Sequence, residues 1–312
     1  MVPLRARVMT PVNTRLLTAV VFIPACAVAY IGLMTSANPQ EPHGWIPPAV
    51  VDTKTPNVGR MYDFYLGGKD NIEADRQAAL QVAEAVPNIA RLARENRAFL
   101  GRAVRFMIGA GIDQFIDIGT GLPTQGHVHQ VTGEVCPRAR VVYVDNEPVV
   151  LAHARALIPP NGRTAVVEAD MREPEAIIGH PATRELIDFS RPVGVLLVAM
   201  LHFATDADDP ASIVGAFTSR MASGSAVAIS HVTRDGPPVD ALAEAEAVYR
   251  ETSAPVSFRS REQIVRMFAG LEVVVPGVVY VPDWRPDGPC GEAGERSRWL
   301  LGGVGLVPGA AR

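Results

Sequence analysis

Short apolar runs alternate with helix-forming segments from residue 115 onward, and no other feature of the chain restricts its fold as strongly. The first runs are Phe115–Ile118, Arg140–Val144, Thr164–Glu168 and Val193–Met200. The last of these is continuously apolar, which is typical of a strand covered by helices on both faces of a sheet. Repeated strand–helix units predict an α/β fold with a mostly parallel sheet and right-handed crossovers.

Turn and capping residues indicate where the other elements of this region begin. Asp209 followed by Pro210 is typical of a helix N-terminus, and Ser260 with Gln263 forms a capping-box pattern. Further strands are predicted at Ala226–Ser230, Leu271–Val275 and Trp299–Leu306. Helices are predicted at 124–134, 148–158 and 185–189, from Asp209 onward, and at 260–269.

The region before residue 110 is predicted to be helical. Helices are expected over Asn57–Leu66 and Ile72–Ala85, separated by the helix-breaking pair Gly67-Gly68. Another helix begins at Pro87, because its apolar residues mostly recur at steps of three or four, and it ends at Gly109. We therefore divide the chain into an N-terminal extension (1–51), a helical segment (52–110) and an α/β core (111–312).

The N-terminal extension contains the apolar stretch Leu16–Met34, preceded by Arg5, Arg7 and Arg15. This pattern fits a membrane helix or a signal peptide. It also fits an additional buried helix, or a coding start assigned too early with true translation beginning at Met34. Residues 37–51 are rich in Pro and Gly and are expected to form a flexible lead-in.

Charge and cysteine content exclude several classes of partner. The 312-residue chain has a net charge of −4, which gives no reason to expect nucleic acid or an anionic membrane surface as a partner. Cys26, Cys136 and Cys290 are odd in number and far apart, so they indicate neither a disulfide framework nor a zinc site. The acidic cluster Asp206–Asp209 lacks the EF-hand spacing and glycine, so no metal site is predicted.

The sequence Gln114–Thr124, QFIDIGTGLPT, places a glycine pair directly after the first predicted strand. Gly119 and Gly121 allow a sharp turn and a close approach of the backbone to a ligand. A dinucleotide fingerprint would have another glycine and a helix N-terminus facing pyrophosphate, whereas Pro123 has no N–H to offer a phosphate. The carboxylate of Asp117 would repel pyrophosphate but suits a sulfonium or ammonium group. The turn therefore favours S-adenosylmethionine over NAD.

Two later acids follow the next strands of the predicted sheet. Asp145 ends the second predicted strand, where an acid can bind both hydroxyls of a ribose. Asp170, next to Met171, ends the third. Because ligands of open α/β sheets bind beyond the carboxyl ends of the strands, these residues are expected at the same site as the glycine pair.

Several stretches together resemble a family of S-adenosylmethionine-dependent methyltransferases known mostly from actinobacteria and long described as a domain of unknown function. The most specific is the run Tyr-Leu-Gly-Gly-Lys-Asp-Asn at the end of the first stretch. The matching stretches are Pro56–Asn71, Arg94–Met107, Phe115–Thr124, Ala139–Leu157, Arg191–Phe203 and Ser230–Thr233. The resemblance implies a class I methyltransferase Rossmann-like sheet with an antiparallel last strand, helices on both faces, and an N-terminal helical cap over the cofactor.

The resemblance also implies a position for each cofactor-binding residue. Asp117, Gly119 and Gly121 would line the methionine end of S-adenosylmethionine. Asp145 would bind the ribose hydroxyls, with Asn146 beside the adenine. Asp170 would accept the adenine amino group, and Met171 would pack on its face.

Residues of the cap have two interpretations each. Tyr65 and Lys69 belong to the cap signature and either close over the cofactor or acceptor, or form part of a helix–turn–helix with Asp70 or Asn71 as its N-cap. Arg94 and Arg97 either hold the cofactor carboxylate, which a guanidinium grips well, or lie on a solvated helix face.

Two histidines are candidates for a catalytic base. His202 follows the fourth predicted strand and His231 follows the fifth, and histidine is the commonest general base near neutral pH. Each is equally compatible with a structural role in its loop. A base is needed only if the methyl acceptor is an unactivated group such as a hydroxyl.

We therefore predict a cytoplasmic S-adenosylmethionine-dependent methyltransferase that acts on a small-molecule acceptor. The location follows partly from the cofactor, which is made and kept in the cytosol. A non-catalytic module that senses S-adenosylmethionine or S-adenosylhomocysteine is the alternative, because both would share the cofactor residues. An NAD-linked oxidoreductase is disfavoured by Asp117 and Pro123. The fold does not fix the acceptor.

Overall fold

The computed structural model describes residues 52–123, 126–158, 161–288 and 297–309. The predictions for the extension 1–51, for Cys26 and Cys290, and for a helix beginning at Thr124 lie outside these residues. Val50–Arg312 form one unit, and the division at residue 110 into cap and core stays a prediction.

A mixed sheet lies at the centre of the described chain. Its strands follow the order β3-β2-β1-β4-β5-β8-β6, with β7 paired to β8. Strands β1 to β5 are parallel, and β8 runs antiparallel to β5. The strands are β1 Gln114–Ile118, β2 Arg140–Asp145, β3 Thr164–Glu168, β4 Gly194–Val198, β5 Ala226–Val232, β6 Glu272–Val273, β7 Val279–Tyr280 and β8 Leu300–Leu306. The predicted fold class, including the antiparallel last strand, is confirmed.

The helices lie before the sheet in sequence and between its strands. They are α1 Val58–Tyr65, α2 Glu73–Ala85, α3 Ile89–Gly109, α4 Val128–Val135, α5 Pro148–Leu157, α6 Pro174–Gly179, α7 Pro181–Leu186, α8 Pro210–Thr218, α9 Val239–Tyr249 and α10 Arg261–Arg266. Short 3-10 turns at Leu201–Phe203, Asp206–Asp208 and Val281–Asp283 complete the regular structure of the described residues.

Both faces of the central strands are buried, because alternate residues of these strands pack into two different hydrophobic cores, one on each face of the sheet. On β1, Phe115 packs in the core formed with α3 and α4, whereas Ile116 and Ile118 pack in the core formed with α6, α7 and α8. This alternation is the ordinary consequence of the two-residue period of a strand. It explains why the central strands read as continuous apolar runs in the sequence.

The helices before the sheet form a separate core with α9. Met61 and Tyr65 of α1 and Val82 of α2 pack with Ala245 of α9 and with Phe258. The sequence did not predict α9, because it is rich in alanine and only Ala245 is fully buried, so no apolar stripe marks it. Helix α6 was also missed, and α7 was predicted at 185–189 but ends at Leu186, because each is a short helix that begins at a proline and lacks a readable period.

Two boundaries that bear on the site differ from prediction. Helix α4 begins at Val128, with His127 as N-cap, because Gly126 just before it has a φ of 67°, which is incompatible with a right-handed helix. Strand β5 continues to Val232, two residues beyond its predicted end, because it pairs along its length with β8. The α2 N-cap is Ile72, neither Asp70 nor Asn71, and the Asp75 carboxylate accepts the Ile72 N–H at 2.9 Å.

Candidate functional site

A cavity of about 330 Å³ lies at the carboxyl ends of β1, β2 and β4. Residues of α1, α3 and α9 complete its lining, so the N-terminal helices take part in the site. Its volume lies near the lower end of the range for small-molecule pockets, and its position is where open α/β sheets bind ligands.

The glycine pair after β1 forms one wall of this cavity. The Gly119 N–H donates to the Val144 carbonyl at 2.8 Å, which extends the pairing of β1 with β2 to the first glycine. Gly119 and Gly121 have φ values of 69° and 63°, in the left-handed region that favours glycine. A Cβ at Gly119 would collide with the thioether of Met200, whereas a Cβ at Gly121 would meet no atom within 4 Å. Gly121 therefore borders open space that a ligand can occupy.

Asp117 is a buried carboxyl at the end of β1. Burial raises its pKa to about 6, and the charge of nearby Arg97 opposes this rise. Among the described residues, Asp117 forms no ion pair, since no nitrogen of a basic side chain lies within 4.0 Å of its carboxylate oxygens. A buried carboxylate without a direct counter-ion favours a cationic ligand beside it.

Asp145 ends β2 and faces the glycine loop. Its Oδ2 accepts the Gly121 N–H at 3.1 Å, and its Oδ1 accepts the Glu147 N–H at 3.0 Å. A carboxylate has about four acceptor positions, so two remain for the hydroxyls of a ligand. Burial raises the pKa of Asp145 to about 6, against the effect of these backbone donors.

Asn146, Asp170 and Met171 lie together at the ends of β2 and β3. The Asn146 amide donates to Asp170 Oδ2 at 3.1 Å, and the Arg172 N–H donates to Oδ1 at 2.9 Å. Met171 is buried and packs in the core under this edge while it also lines the cavity. The structure therefore brings all the strand-end residues that were predicted to bind the cofactor to one cavity.

Of the two arginines predicted on α3, the structure places only Arg97 in the cavity lining. Arg94 is exposed. Arg97 is half-buried, and its Nε has no hydrogen-bond partner among the described atoms. Its guanidinium stands 5.7 Å from the centre of the Tyr62 ring. A half-buried guanidinium with unused donors in a cavity is suited to an anionic group of a ligand.

The structure places Tyr65 and Lys69, the two predicted cap residues, in different surroundings. Tyr65 is buried and lines the cavity, but Lys69 is exposed and is not part of the lining. The physical reason is the turn at Gly67, whose φ is 81°. Asp63 holds this turn by accepting the Asp70 N–H at 3.0 Å and the Asn71 amide at 2.8 Å. Lys69 therefore lies on the solvent side of the turn, and its predicted contact with the cofactor is corrected.

His202 lies on the 3-10 turn after β4 and lines the cavity. Its ring is buried, and its Nδ1 has no hydrogen-bond partner among the described atoms. Burial, with the neighbouring His231 and Arg259, lowers its pKa well below the ordinary value. The imidazole is therefore neutral at pH 7 and able to accept a proton or a hydrogen bond.

The prediction of His231 as a catalytic residue is corrected. It lies within β5, is fully buried and does not line the cavity. Its Nδ1 stands 2.7 Å from the Val232 carbonyl, so this nitrogen carries the hydrogen. Its Nε2 then accepts from Arg259 Nη1 at 3.0 Å, and its pKa is lowered to about 3, mainly by burial. Both ring nitrogens are used, so His231 has no free site for a substrate proton.

A buried hydrogen-bond chain that the sequence analysis did not identify joins α3 to β5 beside the cavity. The Ser230 hydroxyl accepts the Ala199 N–H at 2.8 Å and donates to Asn96 Oδ1 at 2.7 Å. The Asn96 amide donates to the Tyr62 hydroxyl at 3.0 Å. Ala199 has a φ of 58°, a strained conformation for a non-glycine residue of the kind that clusters at functional sites. The only sequence signal was that Asn96 and Ser230 fall within the stretches that resemble the family.

Comparison with known proteins decides the family. Residues 46–308 match the family model described as S-adenosyl methyltransferase. The chain belongs to this family. The S-adenosyl methyltransferase fold described above is similar to that of a methyltransferase candidate from Thermobifida fusca YX, with 41% identity and a TM-score of 0.78. That alignment covers 85% of this chain and 100% of the other.

A second solved structure is similar to this S-adenosyl methyltransferase over nearly the same length. It is a DUF574 family protein from Streptomyces avermitilis MA-4680, with 36% identity and a TM-score of 0.78. The alignment covers 83% of this chain and 100% of that protein. No curated protein matches the chain.

The cofactor of the S-adenosyl methyltransferase family, S-adenosylmethionine, fits the residues of the cavity. Gly121 leaves space where a side chain would stand, Asp145 has acceptor positions to spare, and Arg97 has unused donors. Within the described residues, no group of histidine, cysteine and acidic side chains is arranged to hold a metal ion. In the same part of the chain, no helix is long and apolar enough to cross a membrane.

Proposed function

We propose that this protein transfers the methyl group of S-adenosylmethionine to a small-molecule acceptor bound in the same cavity. The bound cofactor supplies the activated methyl group. The observation that carries the proposal is that the cavity joins two unlike parts: the acidic strand ends of β1 to β3, and a mostly apolar part under α1, α3 and α9.

The chain's own residues divide the work of holding the cofactor. Asp145 accepts hydrogen bonds from ribose hydroxyls, because its carboxylate lines the cavity beside Gly121. Asp117 stabilises the cationic part of the cofactor, and Arg97 binds its carboxylate. Asp170 and Met171 receive the adenine, with Asn146 fixing the Asp170 carboxylate through the bond at 3.1 Å. Tyr65 closes the cap side of the cavity.

Methyl transfer is favoured over simple sensing of the cofactor by the part of the cavity that the cofactor residues do not explain. A sensor needs no second compartment, whereas His202 is buried there with an unpartnered Nδ1. In this role His202 contacts the acceptor and accepts its proton when the acceptor group carries one. The proposal implies a cytoplasmic location, because the cofactor is made and kept in the cytosol.

Calorimetric titration of the purified protein with S-adenosylmethionine and S-adenosylhomocysteine tests this proposal. We expect both to bind, and Asp145→Ala to weaken each by at least about tenfold, since hydrogen bonds to a charged group contribute about 1.5–3 kcal/mol. Asp240→Ala is the matched control, because Asp240 is exposed and lies outside the cavity lining. Absence of binding, or equal binding by the two variants, would remove the methyltransferase proposal.

A further inference from the structure

The part of the cavity under the cap has a composition of its own. We call it the aromatic chamber, and its lining includes Tyr62, Tyr65, Leu92, Leu100, Phe203 and Tyr249 together with His202. The Phe203 and Tyr249 rings are 6.3 Å apart between centres, and Phe203 lies 4.4 Å from the His202 ring. Flat apolar side chains surround a space that suits a flat ligand.

The cavity lining contains six charged residues, and one of them, Arg97, borders the aromatic chamber, because its guanidinium stands 5.7 Å from the centre of the Tyr62 ring. The six are Arg97, Asp117, Asp145, Glu147, Asp170 and Arg172. All except Arg97 belong to the carboxyl ends of β1 to β3 or the residues that follow them, and Arg97 acts on Asp117. In the proposed function the cofactor carboxylate occupies Arg97, so a charged group on an acceptor would lose its hydration in the chamber without gaining a partner of opposite charge, at a cost of several kcal/mol.

Two buried polar atoms of the chamber can form hydrogen bonds with a ligand. His202 Nδ1 is buried, and no described atom is in hydrogen-bond geometry with it. The Tyr65 hydroxyl is also buried and has the Tyr249 hydroxyl as its hydrogen-bonding neighbour, and burial followed by this neighbour raises the pKa of Tyr65. An unpaired buried polar atom costs about 1–3 kcal/mol, so a ligand that supplies the missing partner is favoured. A hydroxyl does so, because it donates to an imidazole nitrogen and accepts from a tyrosine O–H.

We propose that the aromatic chamber binds an uncharged aromatic compound through a hydroxyl group placed between His202 and Tyr65, and that this hydroxyl is the methyl acceptor. This inference rests on the proposed function. The acceptor and the cofactor share one lining, so the acceptor binds next to the methyl group that it receives. In the reaction the acceptor O–H bond breaks and an O–CH₃ bond forms as the S–CH₃ bond of the cofactor breaks. His202 takes the proton, so the positive charge lost from sulfur is balanced by the charge gained on the imidazole.

The test compares three probes on protein saturated with S-adenosylhomocysteine. The probes are naphthol, naphthoate and decalol, which share a two-ring skeleton and differ in charge or in aromatic character. We expect naphthol to bind at least about tenfold more tightly than the other two, because naphthoate buries a charge and decalol cannot stack on the rings. With S-adenosylmethionine in place of the product, mass spectrometry should detect the methyl ether of naphthol.

Variants of the aromatic chamber test whether naphthol binding depends on His202 Nδ1 and on the Tyr65 hydroxyl. Tyr65→Phe and His202→Gln should each weaken naphthol binding by about three- to tenfold. His202→Gln should also abolish formation of the methyl ether. Both variants should keep the wild-type circular dichroism spectrum and a cooperative thermal unfolding transition, which shows that they fold. Tyr280→Phe and His153→Gln are the matched controls, because neither residue lines the cavity.

The outcomes separate this inference from the proposed function. If the protein binds S-adenosylhomocysteine but prefers naphthoate or decalol, or binds none of the probes, the aromatic acceptor is wrong and the methyltransferase proposal stands. Unchanged naphthol affinity in both chamber variants would also overturn it. If neither form of the cofactor binds, both proposals fail together.

Discussion

Substituting Gly121 with alanine separates the cost of backbone conformation from the cost of losing ligand space. Gly121 has a φ of 63°, and an added Cβ would meet no protein atom within 4 Å. In the ligand-free protein the only cost is therefore the left-handed conformation, about 1–2 kcal/mol for an L-residue. Gly111→Ala is the matched control, because Gly111 has a φ of 92°, an equally open Cβ position, and lies at the end of α3 outside the cavity lining.

The two variants should diverge when the cofactor is added. Forcing a methyl group into a filled space costs about 1–3 kcal/mol, which corresponds to a loss of affinity of about 5- to 150-fold. We expect this loss in calorimetric titrations of Gly121→Ala with S-adenosylmethionine, and wild-type affinity in Gly111→Ala. Chemical denaturation should give both variants a similar decrease in the free energy of unfolding. If Gly121→Ala binds the cofactor as tightly as Gly111→Ala does, no ligand approaches this glycine and the assignment of the loop is refuted.

Three further substitutions or conditions test other parts of the site. Arg97→Met should weaken S-adenosylhomocysteine by roughly ten- to a hundredfold but leave methylthioadenosine, which lacks the carboxylate, unchanged; equal losses by calorimetry, or the same loss in the exposed control Arg94→Met, would contradict the role of Arg97. Lowering the pH from 7 to 5 should weaken cofactor binding, because the pKa values of Asp117 and Asp145 are raised to about 6 and both carboxylates become protonated. The same two groups bind more protons in the folded than in the unfolded state over this range, so in ligand-free protein their contribution to the free energy of unfolding should rise as the pH falls; denaturation of the wild type against Asp145→Asn checks this sign. Asn57→Ser keeps an oxygen to cap α1 but loses the amide that donates to Glu147 at 2.8 Å, a contact that joins α1 to the end of β2 at the cavity. S-adenosylhomocysteine should therefore dissociate about two- to tenfold faster in stopped-flow measurements. An unchanged rate would show that this contact does not retain the ligand.

The arrangement of strands and the positions of the strand-end acids were predictable because both depend on short-range patterns. Apolar residues recur with a period of two in strands and of 3.6 in helices, and parallel strands bring their carboxyl ends to one edge of the sheet. Asp117, Asp145 and Asp170 therefore meet in one cavity, as expected from their places after successive strands. The antiparallel direction of β8 came from the family resemblance and not from any local pattern.

The remaining parts of the site depend on contacts between residues far apart in sequence. His231 and His202 look alike from their positions after strands, and only Arg259 distinguishes them by occupying the Nε2 of His231. Arg94 and Arg97 lie one turn apart on α3, and the side that faces the glycine loop is set by packing. Tyr249 was missed because the helix that carries it has no apolar stripe.

Strand β8 has a consequence for the order in which the protein can be completed on the ribosome. Strands β5, β6 and β7 precede it in the chain, yet within the described residues β6 and β7 pair with the sheet only through β8. Until β8 emerges, the edge of β5 stays open, and open edges invite pairing with other chains. The glycines of β8 let this strand fit closely against its neighbours. A Cβ at Gly305 would stand 2.8 Å from Leu271, and one at Gly302 would stand 2.9 Å from Val281. Pulsed hydrogen exchange on nascent chains should show the amides of β5, β6, β7 and β8 becoming protected in a single late step. Until that step, the edge of β5 in the nascent chain is open to pairing with other chains.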